Sequence, residues 1–194
     1  MGIANRRQRL FTEEEYLSLE EEALEKSEFF QGRIYAMAGG SSNHSVISVN
    51  ATVAFSIALR NRPCIVYNSD FRVRVSQANL DTYPDISVAC GSPLIYNFKN
   101  TQTLMNPNLI LEVLSSSTEK YDRTGKFESY KLIPTLTDYL LVAQDHAKVE
   151  HFVRQEDGTW SCTVSEGLDA TVKIDSLECE LPLSEIYLKV DLKE

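Results

Sequence analysis

The stretch that most constrains this chain is Leu109-Ile110-Leu111-Glu112-Val113-Leu114, an apolar run with one carboxylate set into it. The run is short and bounded by polar turn formers, Asn106-Pro107-Asn108 before it and Ser115-Ser116-Ser117 after it. That pattern suits a strand covered on both faces. An ionised carboxylate left alone in such a strand costs several kcal/mol, so Glu112 needs a cation, a metal or a hydrogen-bond network. A fold usually accepts that cost only where a function requires it.

At 194 residues the chain fits one domain, 1–194, with enough length to bury a core without staples. No apolar run approaches the roughly 18 residues of a membrane span, and the polar N-terminus shows no secretory signal. The four cysteines, Cys64, Cys90, Cys162 and Cys179, are widely spaced and have no neighbouring histidines. A disulfide framework and thiolate metal binding are both unexpected, and a reducing cytoplasm is the simplest setting. The net charge is −9, and it is uneven: −4 over residues 1–30, +2 over 60–131 and −8 over 132–194. Acidity of this size argues against non-specific nucleic-acid binding, but it leaves room for a local cationic groove in the middle third.

Thr12-Glu13-Glu14-Glu15 carries the capping-box pattern, followed by a short amphipathic helix with Tyr16, Leu17, Leu19, Ala23 and Leu24, its glutamates on a solvated face. Residues 28–37 read as a hairpin turning near Gln31-Gly32. From His44 to about Asn61, Val46, Ile47, Val53, Ala54, Ile57 and Ala58 recur at helical spacing. Four strands follow: 64–67, 71–75, 85–90 and 109–114. In 71–75 strict alternation predicts one buried face and one exposed face bearing Arg72 and Arg74. Gly91–Pro107 reads as a surface loop, 119–132 as a helix, 139–142 as a buried strand, and 149–154 with 160–164 as a hairpin. A short segment, 183–190, ends the chain. The fold class is α/β in the α+β sense, with a central mixed sheet flanked by helices and an added C-terminal hairpin.

Three pieces converge on Glu112. Asp85 follows Pro84 at the mouth of one strand, Glu112 lies in the next, and Lys126 sits on the following helix between Asp122 and Tyr130. Carboxylates at a strand start and in its neighbour can share a hard divalent cation. A lysine beside that cation can orient water and stabilise charge on a phosphate. In this setting Pro84-Asp85 with Glu112-Val113-Leu114 resembles the PD-(D/E)xK signature of restriction-endonuclease-like nucleases. The ordered series Glu28, Gly32, Met37, His44, Tyr83-Pro84-Asp85, Leu111–Ser115, Asp122-Arg123, Lys126, Tyr130 and Tyr139–Val142 is similar to the Uma-two group of endonucleases, expanded in cyanobacteria. The resemblance spans roughly residues 10–190.

The resemblance implies a restriction-endonuclease-like core and Mg²⁺- or Mn²⁺-dependent hydrolysis of DNA phosphodiesters, with Asp85, Glu112 and the Val113 carbonyl on the metal. Asp85, Glu112, Lys126 and Glu28 would be the catalytic set, with His44, Asp122 and Tyr130 in support. Leu114 stands where the short motif carries lysine, and the resemblance implies that Lys126 supplies the missing amine from the helix. Arg72, Arg74 and Arg123 are candidate DNA contacts, and a homodimer is expected. Each residue also has a plainer reading: Asp85 as a turn residue after Pro84, Lys126 as a surface partner of Asp122, the arginines as an exposed strand face. Two rival functions fit the same residues: an inactive nuclease-fold module that binds DNA or dimerises, and a metal-dependent hydrolase of another substrate. No element that reads base edges is legible.

Overall fold

The computed structural model describes residues 9–193. Helix α1 (Glu13–Glu22) opens on the expected capping box: the Thr12 hydroxyl accepts from the Glu15 amide, and the Glu15 carboxylate accepts from the Thr12 amide. Only Tyr16 and Leu17 of the expected apolar set are buried, and Leu19 and Leu24 lie in solvent. The hairpin follows as β1 (Ser27–Phe30) and β2 (Arg33–Ala36), turning at Gln31-Gly32. Gly32 takes φ +81, a left-handed conformation that favours glycine.

Helix α2 (Ser42–Ala58) is capped by Ser41 and buries Ile47, Ala51 and Phe55. The buried stripe thus runs at i, i+4, i+8 from Ile47, while Val53 and Ile57, expected in the core, face solvent. Next come β3 (Cys64–Asn68), β4 (Arg72–Val75), β5 (Leu80–Thr82), β6 (Ile86–Cys90), β7 (Ile95–Phe98), β8 (Thr101–Leu104) and β9 (Leu109–Val113). The segment expected as a loop, Gly91–Pro107, holds the β7–β8 hairpin. Its sequence alternates weakly because β7 is the edge strand of its sheet, half in solvent, and β8 beside it is buried only at Thr103 and Leu104.

The expected helix 119–132 is a composite: α3 (Glu119–Tyr121), a π-helical turn over Asp122–Lys126, and α4 (Phe127–Tyr130). Thr124 bonds back to the Lys120 carbonyl and Ser129 to the Gly125 carbonyl. Both contacts compete with regular helical pairing around Gly125, a weak helix former. After it come β10 (Asp138–Val142), β11 (Lys148–Arg154), β12 (Trp160–Glu166), β13 (Thr171–Ile174), β14 (Cys179–Pro182) and α5 (Leu183–Ile186).

Two six-stranded sheets result, β2-β1-β5-β4-β8-β7 and β12-β11-β10-β9-β6-β3, with β13-β14 as a separate pair. Each large sheet is mixed, through the parallel pairs β4–β8 and β9–β10. The mixed sheet flanked by helices is as expected. The β11–β12 hairpin, however, extends that sheet rather than standing apart from it, and the separate C-terminal pair is β13–β14. No helix among the described residues is long and apolar enough to cross a membrane.

Strand β9 is buried at every residue, between parallel β10 and antiparallel β6. Its alternation divides the core. Leu109, Leu111 and Val113 pack with α2, α5 and the β13–β14 pair. Ile110 and Leu114 pack with Phe127, Tyr130 and the strands of the other sheet. Glu112 shares the side of Ile110 and Leu114. The sequence pattern therefore aims this carboxylate at the helical segment that carries Lys126.

The expectation of unpaired cysteines is corrected at one pair. Antiparallel β3 and β6 set Cys64 directly opposite Cys90, and the two form a disulfide. Spacing along the chain hides a bridge that strand register creates. Closing a sequence separation of 26 residues contributes about 3 kcal/mol through the unfolded chain. Urea denaturation with excess dithiothreitol, or of the Cys64→Ser/Cys90→Ser variant, should show a loss of that order; curves superimposed on the oxidised wild type would contradict the bridge.

Candidate functional site

Pairing of β6 with β9 sets Ile86 opposite Leu111, so Asp85, one residue earlier, falls beside Glu112. The Asp85 amide lies 3.4 Å from Glu112 Oε2, and Asp85 Oδ2 accepts the Val113 amide at 2.7 Å. The helical segment forms the third wall. Lys126 Nζ stands 2.9 Å from Glu112 Oε1 and 3.6 Å from Asp122 Oδ1, and the Tyr130 hydroxyl donates to Glu112 Oε1 at 2.9 Å. Glu112 is 4% exposed and Lys126 7%, so the pair meets almost without water.

The π turn faces both Asp122 and Lys126 inward. Such turns recur at functional sites, since they free backbone carbonyls and re-aim side chains. Here the Tyr139 hydroxyl of β10 donates to the Asp122 carbonyl at 3.0 Å. Phe127, next after Lys126, stacks on Tyr139 at 4.8 Å and meets Trp160 edge-on at 5.3 Å. The aromatic cluster clamps the segment to the sheet.

Glu28 enters from the other sheet, on β1. Its carboxylate accepts from Thr82 Oγ1 and from the Tyr121 hydroxyl, each at 2.6 Å. It lines the same cavity of about 750 Å³ as Asp85, Glu112, Asp122 and Lys126. His44, in the first turn of α2, places Nε2 3.3 Å from Asp85 Oδ2. Gly40 makes this possible, because a Cβ there would sit 2.8 Å from His44 Nδ1.

The charges do not balance. Four carboxylates (Glu28, Asp85, Glu112 and Asp122) face one buried ammonium. Burial, helped by Asp122 and Asp85 and opposed by Lys126, pushes the Glu112 carboxyl up to about 8. Burial likewise raises Asp122. For Lys126, burial acts to lower the pKa, but Glu112, Asp122 and Glu28 outweigh it and hold the amine charged. The hydrogen bond to Asp85 raises His44. Among the described residues, no group of three or more His, Cys, Asp or Glu side chains is already spaced to enclose an ion. The donor set nevertheless fits a hard cation: all-oxygen donors, an excess of negative charge, and Asp85 Oδ2 rather than Oδ1 engaged by Val113 and His44.

Asp85, Glu112, Lys126, Glu28, His44, Asp122 and Tyr130 thus come together, and Val113 contributes at least its amide. Arg72 and Arg74 do not join them, which corrects the reading of an exposed, DNA-facing strand. They are 2% and 4% exposed, because α1 covers that face: Arg74 pairs with Glu13 at 2.6 Å and Asp81 at 2.9 Å, and Arg72 lies over the Tyr16 ring. Arg123 is half-buried and held by Glu150 and Glu119. Tyr121, Thr82 and Tyr139 were not legible as site residues; only the position of Tyr121 beside Asp122 hinted at one.

By fold the protein is a nuclease-like α+β protein. Its structure matches a crystal structure from Anabaena variabilis described as "a putative nuclease belonging to DUF820", with TM-score 0.70 over 89% of this chain and 95% of that one, at 22% identity. The family model of Uma2, described as "Putative restriction endonuclease", covers residues 13–184, and the chain belongs to that family. Two uncharacterized proteins of Synechocystis sp. are similar to it. One, slr1290, is 45% identical over 147 residues, 76% of either chain. The other, sll1609, is 34% identical over 170 residues, 88% of this chain and 96% of its own.

A carboxyl near 8 in the fold and 4.5 when exposed binds more protons folded than unfolded between those values. Its contribution to stability is full below the lower value and is lost as pH rises through the higher one. In chelator, wild-type stability should fall by about 1 kcal/mol per pH unit between roughly pH 5 and 8. Glu112→Gln should lack that slope and be the more stable protein in alkali. A wild-type urea midpoint that stays flat over this range would refute the assignment.

Proposed function

We propose that the protein is a divalent-cation-dependent endodeoxyribonuclease. The observation that carries this reading is the meeting of Asp85, Glu112 and Lys126, drawn from two adjacent strands and a helix into one desolvated corner. Asp85 and Glu112, with the Val113 carbonyl, would hold Mg²⁺ or Mn²⁺. Bound there, such a cation polarises the scissile phosphate and lowers the pKa of a water.

The chain's own groups have separate tasks. Lys126 is held charged by Glu112, Asp122 and Glu28, so it acts as a donor. It orients water and offsets the charge that grows on the phosphate as the P–O bond breaks. Tyr130 fixes Glu112 Oε1, so this carboxylate keeps one orientation. Glu28, locked by Thr82 and Tyr121, is a further acid at the cavity wall. The proposed substrate is DNA, handled by a homodimer that presents two such sites to two strands.

A second reading has support of its own. Leu114 replaces the in-strand lysine, and the carboxylates are not already spaced as an ion cage. A non-catalytic nuclease-fold module, binding DNA or dimerising, would keep the same core.

Plasmid nicking in Mg²⁺ or Mn²⁺ should fall by about 10²-fold or more in Asp85→Ala and in Lys126→Ala. Titration calorimetry should show Mn²⁺ binding to the wild type and none to Glu112→Gln. Equal residual cleavage by wild type and both alanine variants would end the nuclease reading, and absent Mn²⁺ binding would favour the non-catalytic module.

A further inference from the structure

Both carboxylate oxygens of Glu28 already serve the protein. Thr82, on neighbouring β5, donates to Oε2, and Tyr121 donates to Oε1, each at 2.6 Å. Contacts this short are typical of a hydroxyl on a charged carboxylate. Two other acids of the cavity are held differently. Among the described residues, Asp85 is engaged through Oδ2 alone, by Val113 and His44, and Glu112 Oε2 meets only the Asp85 amide, at 3.4 Å. Asp85 and Glu112 therefore keep an oxygen each open to a cation. Turning Glu28 towards an ion would strip the Thr82 hydroxyl, which is fully buried, of its acceptor, and an orphaned donor in a dry wall is costly.

Tyr121 reaches Glu28 from the helical segment. It ends α3, directly before the π turn that carries Asp122 and Lys126, whereas Glu28 stands on β1 of the other sheet. Its ring rests on Gly125, where a Cβ would meet Cε2 at 3.0 Å and Cδ2 at 3.1 Å. One hydroxyl thus ties the segment that bears the ammonium to the sheet that bears the acid, and Tyr121, Glu28 and Lys126 line one cavity. Glu28 adds to the negative charge that keeps Lys126 protonated. We infer that Tyr121 is a positioning residue: its hydroxyl fixes Glu28 as a charge that acts on the Lys126 ammonium, and Glu28 is not a ligand of the ion. This rests on the nuclease reading and deepens it, leaving Asp85 and Glu112 as the side-chain ligands of a single ion.

The test is Mn²⁺ titration calorimetry and plasmid nicking by the wild type, Tyr121→Phe and Glu28→Gln. All three proteins should bind a single Mn²⁺ with the same affinity. Turnover should fall by about tenfold or more in both variants, with KM unchanged. Gly125→Ala, which crowds the Tyr121 ring, should show the same loss and serves where Tyr121→Phe does not fold. A lower melting temperature with full turnover in Tyr121→Phe would reduce the contact to packing and overturn the inference. Weakened Mn²⁺ binding in Glu28→Gln, or a second equivalent in the wild type that this variant lacks, would overturn it too, because Glu28 would then be a ligand. Each of those results leaves the nuclease reading standing. A wild type that nicks no DNA would end that reading, and this inference with it.

Discussion

The structure depends on the contact between Glu112 and Lys126 inside a wall without water. Either charge alone would be costly there. Together, at 2.9 Å, they are tolerable, and Tyr130 fills the remaining demand of the same oxygen. The pair is still not neutral with its surroundings, because Asp122 and Glu28 also act on the lysine. Uneven charge of that kind is poor design for stability alone.

Holding such a cluster requires rigid neighbours, and they come from ordinary hydrophobic packing. The apolar residues of β9 alternate between two cores, which fixes the direction of Glu112 without any polar contact. On the helix side, Phe127 is wedged among Tyr139, Phe152 and Trp160. Lys126 immediately precedes it, so the residue that buries the segment also delivers the ammonium. Asp122 and Lys126, four residues apart, lie on one face of the segment, and both are buried there.

Much of this was legible in the chain because it rests on periodicity. The apolar run, the capping box and the β10 strand are local patterns with one physical outcome each. Asp85 could be placed beside Glu112 only through the ordered likeness to a family, since the pairing of β6 with β9 is not written in either strand. What stayed hidden depends on register or on burial from outside. Cys64 meets Cys90 across strands. Edge strand β7 and its neighbour β8 lack strong alternation. Arg72 and Arg74 alternate as an exposed face should, and only the covering by α1 makes them interior. The phase of α2 was misread for a similar reason: Val53 and Ile57 are as apolar as Ile47 and Phe55, so composition could not say which stripe faces in.

Arg72, though buried, has a use in the frame around the site. Arg72 donates to the Tyr83 hydroxyl at 3.3 Å, and that hydroxyl donates to Glu20 Oε1 at 3.0 Å. Glu20 also accepts the Ser27 amide at 2.9 Å and the Ser27 hydroxyl at 2.5 Å. Tyr83 lies two residues before Asp85, and Ser27 one residue before Glu28. One glutamate of α1, read from the sequence as part of a solvated face, therefore ties together the two backbone segments that present the site's outer acids. The cation that makes this possible is fully desolvated, so its bonds are short of competition from water and hold their geometry. In this way the N-terminal helix is part of the site's frame: it fixes the approach of one sheet's carboxylate to the other's, which the pairing of β6 and β9 alone does not determine.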